Sequence, residues 1–170
     1  GYNLLQTFVG SRGTLGKIVS ATVKLYPVGA VKAVSYKFAD ASAADAAIQA
    51  VVRHASLKPF DFLFAGNVVS MTFQGEEKFV DFSIEAADAL MEANGGAKCE
   101  DKVEVADTKT EVLVPVKNFG KFMEAAGADV ACAAVADANT VLFVSNGADL
   151  VAAAAELGGR SATAKLEEVR

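Results

Sequence analysis

The sequence predicts an α+β fold made of two consecutive βαββαβ units. Short apolar segments of strand length alternate with longer segments whose apolar residues recur every three or four positions. A hairpin turn follows the first helix of each unit, and a pair of glycines ends the second helix, at Gly95-Gly96 and again at Gly158-Gly159. This order of elements defines the ferredoxin-like unit, whose helices cover one face of an antiparallel sheet.

The first unit is predicted at residues 28–104. Its strands are expected at 31–38, 60–64, 68–73 and 97–103, with Gly66-Asn67 as the hairpin turn. Its first helix is expected at 42–54, with Ser42 as the N-cap and Asp45 completing a weak capping box. The expected apolar stripe of this helix is Ala46, Ala47, Ala50 and Val51. The second helix is expected at 76–93, and the stripe that should face its core is Phe79, Phe82, Ala86, Leu90 and Ala93.

The second unit is predicted at residues 105–170. Its strands are expected at 110–114, 130–135, 141–144 and 161–166, and its helices at 115–125 and 148–157. Two such units can join edge to edge into one antiparallel sheet, which removes two exposed edges and doubles the core. With the helices on one face, the opposite face must meet solvent, a ligand or another domain.

Residues 1–27 differ from the rest of the chain. Three glycines lie within residues 10–16, and a β-rich segment follows at 17–26 before Pro27. Val19, Ala21, Val23 and Leu25 alternate onto one apolar face, which predicts a half-buried strand. The opening residues are neither Met nor a signal peptide, and we expect them to be the cut end of a longer chain or an artificial start.

Residues 4–27 resemble the end of the FAD-binding domain in the FAD-linked oxidases, the vanillyl-alcohol oxidase/PCMH-type flavoproteins. That family closes this domain with a segment like L-F-V-G-S-E-G-T-L-G-I-V-T-E-A-T-L-K-L-x-P, and about 24 residues here follow it. Arg12 replaces the usual acidic residue, and Lys17-Ile18 replaces Gly-Ile or Ile-Ile. Residues 112–116 and 157–162 are similar to the FAD-binding subunit of glycolate oxidase, which is the most similar member.

The resemblance implies that residues 1–27 are a remnant of the FAD-binding domain and that residues 28–170 are the cap on the substrate side. The residues that would line the FAD site are Gly10, Ser11, Gly13, Thr14, Gly16 and Ile18. Glycine lets a backbone approach a flat cofactor closely, although the same glycines would also permit a tight turn into an edge strand. The intact protein would transfer hydride from a small 2-hydroxy acid, such as glycolate or lactate, to FAD.

The same resemblance limits the activity and cofactor binding that we expect of this chain alone. The family's glycine-rich pyrophosphate loop is missing, so we expect this chain to be inactive and to retain no FAD. The implied partners are the missing FAD-binding domain, an iron–sulfur subunit and other oxidase subunits. D-lactate and D-2-hydroxyglutarate dehydrogenases carry a G-H-x-G-D-G-N segment in the cap, which the single histidine here, His54, cannot supply. A non-catalytic ligand-binding or subunit-assembly module is the alternative function.

Charge and cysteine content limit the partners and the cellular location that we expect for this protein. The net charge is −5 and no Lys/Arg cluster is dense enough for a phosphate backbone, so nucleic acid is not an expected partner. Cys99 and Cys132 stand in no metal or redox spacing, which indicates buried reduced thiols. We therefore expect a cytoplasmic protein, associated with the membrane only through partner subunits.

Individual polar residues give no catalytic constellation and no metal site. His54 is either an acid–base group or a cap at a helix C-terminus. Asp61 could approach substrate from the open sheet face, or simply occupy an exposed strand position. Glu76-Glu77 fits first-turn helix charge better than an acid–base pair, and Ser11 lacks a nearby base. The remaining loop polar residues are Asn67, Gln74 and Arg160.

Overall fold

The computed structural model describes residues 4–11, 13–25, 28–101, 103, 110–136, 139–145 and 149–162. The described residues form two compact units, one within 4–25 and the other within 28–162. The first unit contains a short helix, α1 (Leu4–Phe8), followed by turns and irregular chain.

The second unit contains eight strands and four α-helices. The strands are β1 (Ala30–Lys37), β2 (Asp61–Ala65), β3 (Val68–Gly75), β4 (Ala97–Cys99), β5 (Glu111–Pro115), β6 (Val130–Val135), β7 (Thr140–Ser145) and β8 (Arg160–Ser161). The helices are α2 (Ala41–Arg53), α3 (Glu77–Ala93), α4 (Phe119–Ala126) and α5 (Val151–Glu156). Short 3₁₀ turns occupy Val116–Asn118 and Gly127–Asp129.

All eight strands form one antiparallel sheet in the order β4-β1-β3-β2-β6-β7-β5-β8. When the strands are numbered from one to four within each half, both halves have the order 4-1-3-2. Read across the sheet, the second half appears in reverse, so that the second strands of the two halves are neighbours. The two halves meet where β2 pairs with β6, through Leu63 opposite Ala134 and Phe64 opposite Ala133. The tandem βαββαβ prediction, with its antiparallel sheet, is therefore confirmed.

The second helix of each half ends in the same way. Gly95 has φ +83° and Gly158 has φ +72°, the left-handed conformation that glycine adopts without strain. The N–H of the following glycine then donates to a carbonyl five residues back, Gly96 to Met91 at 2.9 Å and Gly159 to Ala154 at 2.7 Å. These are Schellman-type helix ends, and the two glycine stops predicted from the sequence are confirmed.

The core lies between the helices and one face of the sheet. A row of directly opposed, buried residues crosses that face, and its members are Tyr36, Val69, Phe64, Ala133, Phe143 and Val112. Above it, the Phe119 ring on α4 contacts Phe64 edge-on at 5.3 Å and stacks against Phe143 at 5.6 Å. Because Phe64 belongs to the first half and Phe143 to the second, one aromatic cluster joins the two halves.

The first helix begins earlier than predicted, and Ser42 is not its N-cap. Asp40 has extended backbone and its carboxylate accepts the N–H of Ala43 at 2.8 Å, so Asp40 caps α2. A carboxylate at this position also interacts favourably with the helix dipole, which favours Asp40 over Ser42. The buried stripe of α2 is Ala44, Ala47, Ile48 and Val51, which shares only Ala47 and Val51 with the predicted stripe.

The predicted core stripe of α3 is wrong by about one residue. Phe79 and Phe82 are 48% and 62% exposed, and the buried stripe is Val80, Ser83, Ala87 and Met91. Polar contacts from β1 explain this rotation of the helix. Lys32 binds Asp81 at 2.6 Å, and the hydroxyl of the fully buried Tyr36 donates to Asp88 at 2.7 Å. Holding Asp81 and Asp88 toward β1 turns the two phenylalanines outward.

Other elements also differ from their predicted bounds, and the helix predicted at 148–157 is α5 at Val151–Glu156. The predicted helix at 115–125 is a 3₁₀ turn followed by α4, since Pro115 remains the last residue of β5. The strand predicted at 97–103 ends at Cys99. The last predicted strand begins one residue early, as β8, and its residues from 163 onward lie outside the described part of the chain.

Candidate functional site

The glycine-rich turn is closed by hydrogen bonds to the carbonyls of Phe8 and Ser11. After α1, the N–H of Ser11 donates to the carbonyl of Phe8 at 3.2 Å. The carbonyl of Ser11 then accepts both the N–H of Thr14, at 2.9 Å, and its hydroxyl, at 2.7 Å. Local hydrogen bonding therefore fixes the backbone of the turn.

Two of the three predicted cofactor-binding glycines need to be glycine for their backbone conformation. Gly10 has φ +83° and Gly13 has φ +84°, where other residues are strained. Apart from the chain neighbours, no described residue has an atom within 4 Å of the position that a Cβ would take at either glycine. At Gly16 a Cβ would stand 3.4 Å from the ring of Phe8, an ordinary contact. The backbone at Gly10 and Gly13 is therefore open to a flat ligand.

The chain after this turn is not the half-buried strand that alternation predicts. Residues 16–25 have no regular secondary structure, and none of the described strands pairs with them. Ile18, the last predicted cofactor contact, is 64% exposed, and Val19 and Leu25 are 90% and 85% exposed. A strand requires a hydrogen-bonding neighbour, and the described part of the chain offers none to this segment.

A second candidate surface is the sheet face opposite the helices, which we call the open face. Successive side chains of a strand point to opposite sides, so the neighbours of the buried core row lie on the open face. Its central row, given by strand pairing, is Ser35, Ser70, Leu63, Ala134, Leu142 and Leu113. Ser35 donates to Ser70 at 3.2 Å, and the other four members are partly buried. The six residues of this central row carry no charge: two are serines and four are apolar.

Asp61 lies on the open face one row from this centre. It is exposed and opposes Thr72, which in turn opposes Ala33. Gln74 continues the same face of β3, opposite Val31. The structure therefore places Asp61 where a ligand on the open face could meet it, but it brings no second titratable group into this row.

The other predicted candidates have structural roles. His54 is the C-cap residue of α2, and its Nδ1 accepts the N–H of Leu57 at 3.1 Å. Asn67 ties the hairpin turn to Phe38, whose carbonyl accepts the Asn67 amide at 2.8 Å. Glu76 is the N-cap of α3 and Glu77 its first residue, while Arg160 opposes Leu113 on β8. None of these residues is assembled with another into an acid–base or nucleophilic pair.

Neither a metal site nor a membrane-spanning helix is found among the described residues. No three His, Cys, Asp or Glu side chains among them are grouped so that they could hold a metal ion. No helix in the described ranges has the length and apolar character needed to cross a bilayer. Both cysteines are free thiols. Cys132 is buried, but Cys99 on β4 is only partly buried, so the expectation of two buried thiols is wrong for Cys99.

The largest electrostatic perturbation among the described residues lies in the core between the helices and the sheet. Burial, with the hydrogen bond to Asp88 second, raises the pKa of Tyr36 far above its usual value. Lys98 binds both oxygens of Asp88, at 3.0 and 2.9 Å. This network connects β1, α3 and β4 and is explained by packing, so it does not indicate a reactive site.

The sequence matches no known protein-family model and no curated protein. Among solved structures, the chain is similar to alkyldihydroxyacetonephosphate synthase, with a TM-score of 0.61 and 18% identity. The two share a fold. The similarity covers 84% of this chain and 40% of that one, so the chain spans less than half of the synthase. At this identity the likeness establishes the architecture, and activity has to be argued separately.

Proposed function

We propose that this chain is the C-terminal part of an FAD-dependent oxidoreductase. One observation carries the proposal: the glycine-rich segment that resembles the end of an FAD-binding domain stands directly before the tandem βαββαβ sheet. That sheet has the architecture found in alkyldihydroxyacetonephosphate synthase, a member of the FAD-linked oxidase family. In the intact protein, residues 28–162 would cover the substrate side, and the turn at residues 10–16 would contribute to the FAD site.

The geometry of the turn is compatible with one wall of a cofactor site. Gly10 and Gly13 leave open space beside the backbone, and the Thr14 hydroxyl is already committed to the Ser11 carbonyl. A flat ligand would therefore meet backbone at this wall. Dinucleotide sites enclose most of the ligand surface, so the rest of the site would come from sequence outside this chain.

We further propose a small 2-hydroxy acid, of the glycolate or lactate type, as the substrate. When bound, a flavin accepts hydride from the C2 carbon of such an acid. The central row of the open face would contact the carbon chain of the substrate and exclude water. A carboxylate is normally held by Arg or Lys, and the six residues of the central row include neither. Arg160 on β8 opposes Leu113 and so continues this row at the edge of the sheet. We therefore expect Arg160, or a cation from outside the row, to bind the carboxylate.

An absorbance titration with FAD tests this proposal in two proteins, the present chain and the same chain extended upstream. We expect no stoichiometric flavin in the present chain, because one backbone wall encloses little of the cofactor. The extended chain should purify yellow, and glycolate or lactate should bleach it under anaerobic conditions. Stoichiometric FAD in the present chain would show that the proposed boundary is wrong.

A pair of glycine variants of the extended chain makes the test specific. Gly13→Ala forces alanine into φ +84° at the proposed cofactor wall, while Gly66→Ala forces it into φ +61° in a hairpin turn of the sheet unit. Both should lose similar stability, but only Gly13→Ala should weaken FAD binding. A colourless extended chain would favour the non-catalytic binding module, and bleaching by other alcohols alone would reject the 2-hydroxy acid.

A further inference from the structure

A cavity of about 320 Å³ lies where α2 ends, between the α2–β2 connection and the end of β6. Its lining is mainly apolar, and the residues that matter here are Val51, Val52, Leu57, Phe62 and Val135. Phe60 also lines it and is 70% exposed. Small-molecule sites begin at roughly 300 Å³ and are mostly apolar with a few placed polar groups. This cavity is therefore of the size and character that suit a small ligand.

The polar groups of the cavity are hydrogen-bond donors. Since the Leu57 N–H occupies Nδ1 of His54, the other ring nitrogen, Nε2, carries the ring hydrogen and can donate. Lys58 lines the same cavity and is exposed. None of the described residues that line the cavity is acidic. Its donors therefore match a ligand that accepts hydrogen bonds and carries negative charge.

A second depression, of about 600 Å³, shares Val52 with the first and extends the basic character. Arg53 and Lys117 line it, together with Gln49, and none of the described residues that line it is acidic. Neither cation forms an ion pair with an acidic side chain anywhere in the described residues. In a chain of net charge −5, two adjacent depressions whose charged lining residues are all cations stand out among the described residues.

The backbone opposes this charge only weakly. The C-terminus of α2 contributes a partial negative charge of about half a unit. Arg53, Lys58 and Lys117 together carry three full positive charges. The Asp45 carboxylate, which interacts electrostatically with Arg53, offsets one of them, so the local field still favours an anion.

We propose that the end of α2 binds a small amphipathic carboxylate, with its apolar chain in the 320 Å³ cavity and its carboxylate toward His54, Lys58 and Arg53. The site lies at a helix end and the connection that follows it, whereas the substrate side proposed above is the open face of the sheet. It therefore stands independently of the proposed oxidoreductase function, and the present chain is sufficient to test it.

The test is a titration of the ¹⁵N-labelled chain by NMR with octanoate, octan-1-ol and acetate, all kept below concentrations at which octanoate forms micelles. Octanoate should bind saturably and shift the amides of residues 51–62. Octan-1-ol should bind more weakly because it lacks the charge, and acetate should not bind because it lacks the apolar chain.

Two pairs of variants locate the site. Lys58→Met should weaken octanoate binding by roughly twofold to fivefold, as expected for a solvent-facing ion pair, while Lys78→Met on α3 removes an equal charge without effect. Ala136→Phe should abolish binding by filling the cavity that Ala136 lines, while Ala93→Phe at the end of α3 should leave it intact. Because Lys58 is exposed, its variant remains informative even if Ala136→Phe fails to fold.

Three results would overturn the proposal. One is the absence of saturable octanoate binding. Another is equal affinity for octanoate and octan-1-ol, which would mean that the cations are not used. The third is unchanged binding in both Lys58→Met and Ala136→Phe, which would put the ligand elsewhere.

Discussion

Truncating the aromatic ring that connects the two halves of the sheet should destabilise the whole sheet unit. Phe119 is completely buried, and its ring contacts Phe64 of the first half at 5.3 Å and Phe143 of the second at 5.6 Å. Removing a buried phenylalanine ring costs ~3–5 kcal/mol in lost burial and cavity formation. Two aromatic contacts, each adding roughly 0.5–1.5 kcal/mol, place Phe119→Ala near the middle of that range.

We therefore expect Phe119→Ala to lower the free energy of unfolding by ~4 kcal/mol and the Tm by about 8–16 °C. Urea and thermal denaturation followed by far-ultraviolet circular dichroism measure both quantities. Phe82→Ala is the matched control, since it removes the same ring from a position that is 62% exposed. It should change the free energy of unfolding by no more than ~0.5 kcal/mol.

The coupling between the halves can be isolated by a double-mutant cycle of Phe64→Leu and Phe119→Leu. Rings in edge-on contact should give an interaction energy of ~0.5–1.5 kcal/mol. A loss of less than ~1 kcal/mol in the free energy of unfolding of Phe119→Ala would refute the reasoning. An unfolding transition that splits, with the first half melting as in the wild type, would also refute it, because the aromatic cluster would then not couple the two halves.

Three other predictions concern single positions. Gly159→Ala should destabilise the chain more than Gly95→Ala, because a Cβ at 159 would stand 2.6 Å from the Leu113 carbonyl while one at 95 meets nothing within 4 Å. The midpoints of urea denaturation measure the two losses of stability. Equal losses of stability would contradict the close approach at Gly159. Tyr36→Phe should cost ~1–2 kcal/mol by removing the 2.7 Å bond to Asp88, and Lys98→Met, which leaves that bond, should cost less. Burial raises the pKa of the Asp45 carboxyl above its usual 3.8, so ionisation of this group opposes folding as pH rises through the raised pKa. Asp45→Asn should therefore be more stable than wild type at pH 7 and should lose that advantage below pH 3.8. A stability difference that stays constant across this pH range would show that the pKa is not raised in the folded chain.

The order of elements could be predicted because each signal is local. Gly95 and Gly158 end helices through their own backbone conformation, and Gly66 likewise provides the φ of +61° in the Gly66-Asn67 hairpin turn. The antiparallel pairing of the two halves also followed from a general rule, that a unit with a free edge is best joined to another. What the local pattern predicts well is therefore the sequence of helices and strands.

Prediction failed where a distant contact decides between similar local choices. In α3, stripes through Phe79 and through Val80 have the same periodicity, and the contacts of Asp81 and Asp88 with β1 select the second. The segment at 17–25 has the alternation of a strand, but alternation provides no hydrogen-bonding neighbour. At the glycine-rich turn, the positive φ of Gly10 and Gly13 fits the predicted need for glycine. The role of these residues in binding FAD stays a prediction.

The pairing of β2 with β6 also has a consequence for how the sheet could grow. The two halves meet through β2 and β6, so the outermost described strands are β4 and β8, with three and two residues. Such short strands expose few unpaired backbone groups and are poor templates for an added chain. Duplication of one half therefore yields a closed pair and not an open-ended array. By the same reasoning, a half produced alone would expose its β2 or β6 edge and should associate with its complement or with a second copy of itself.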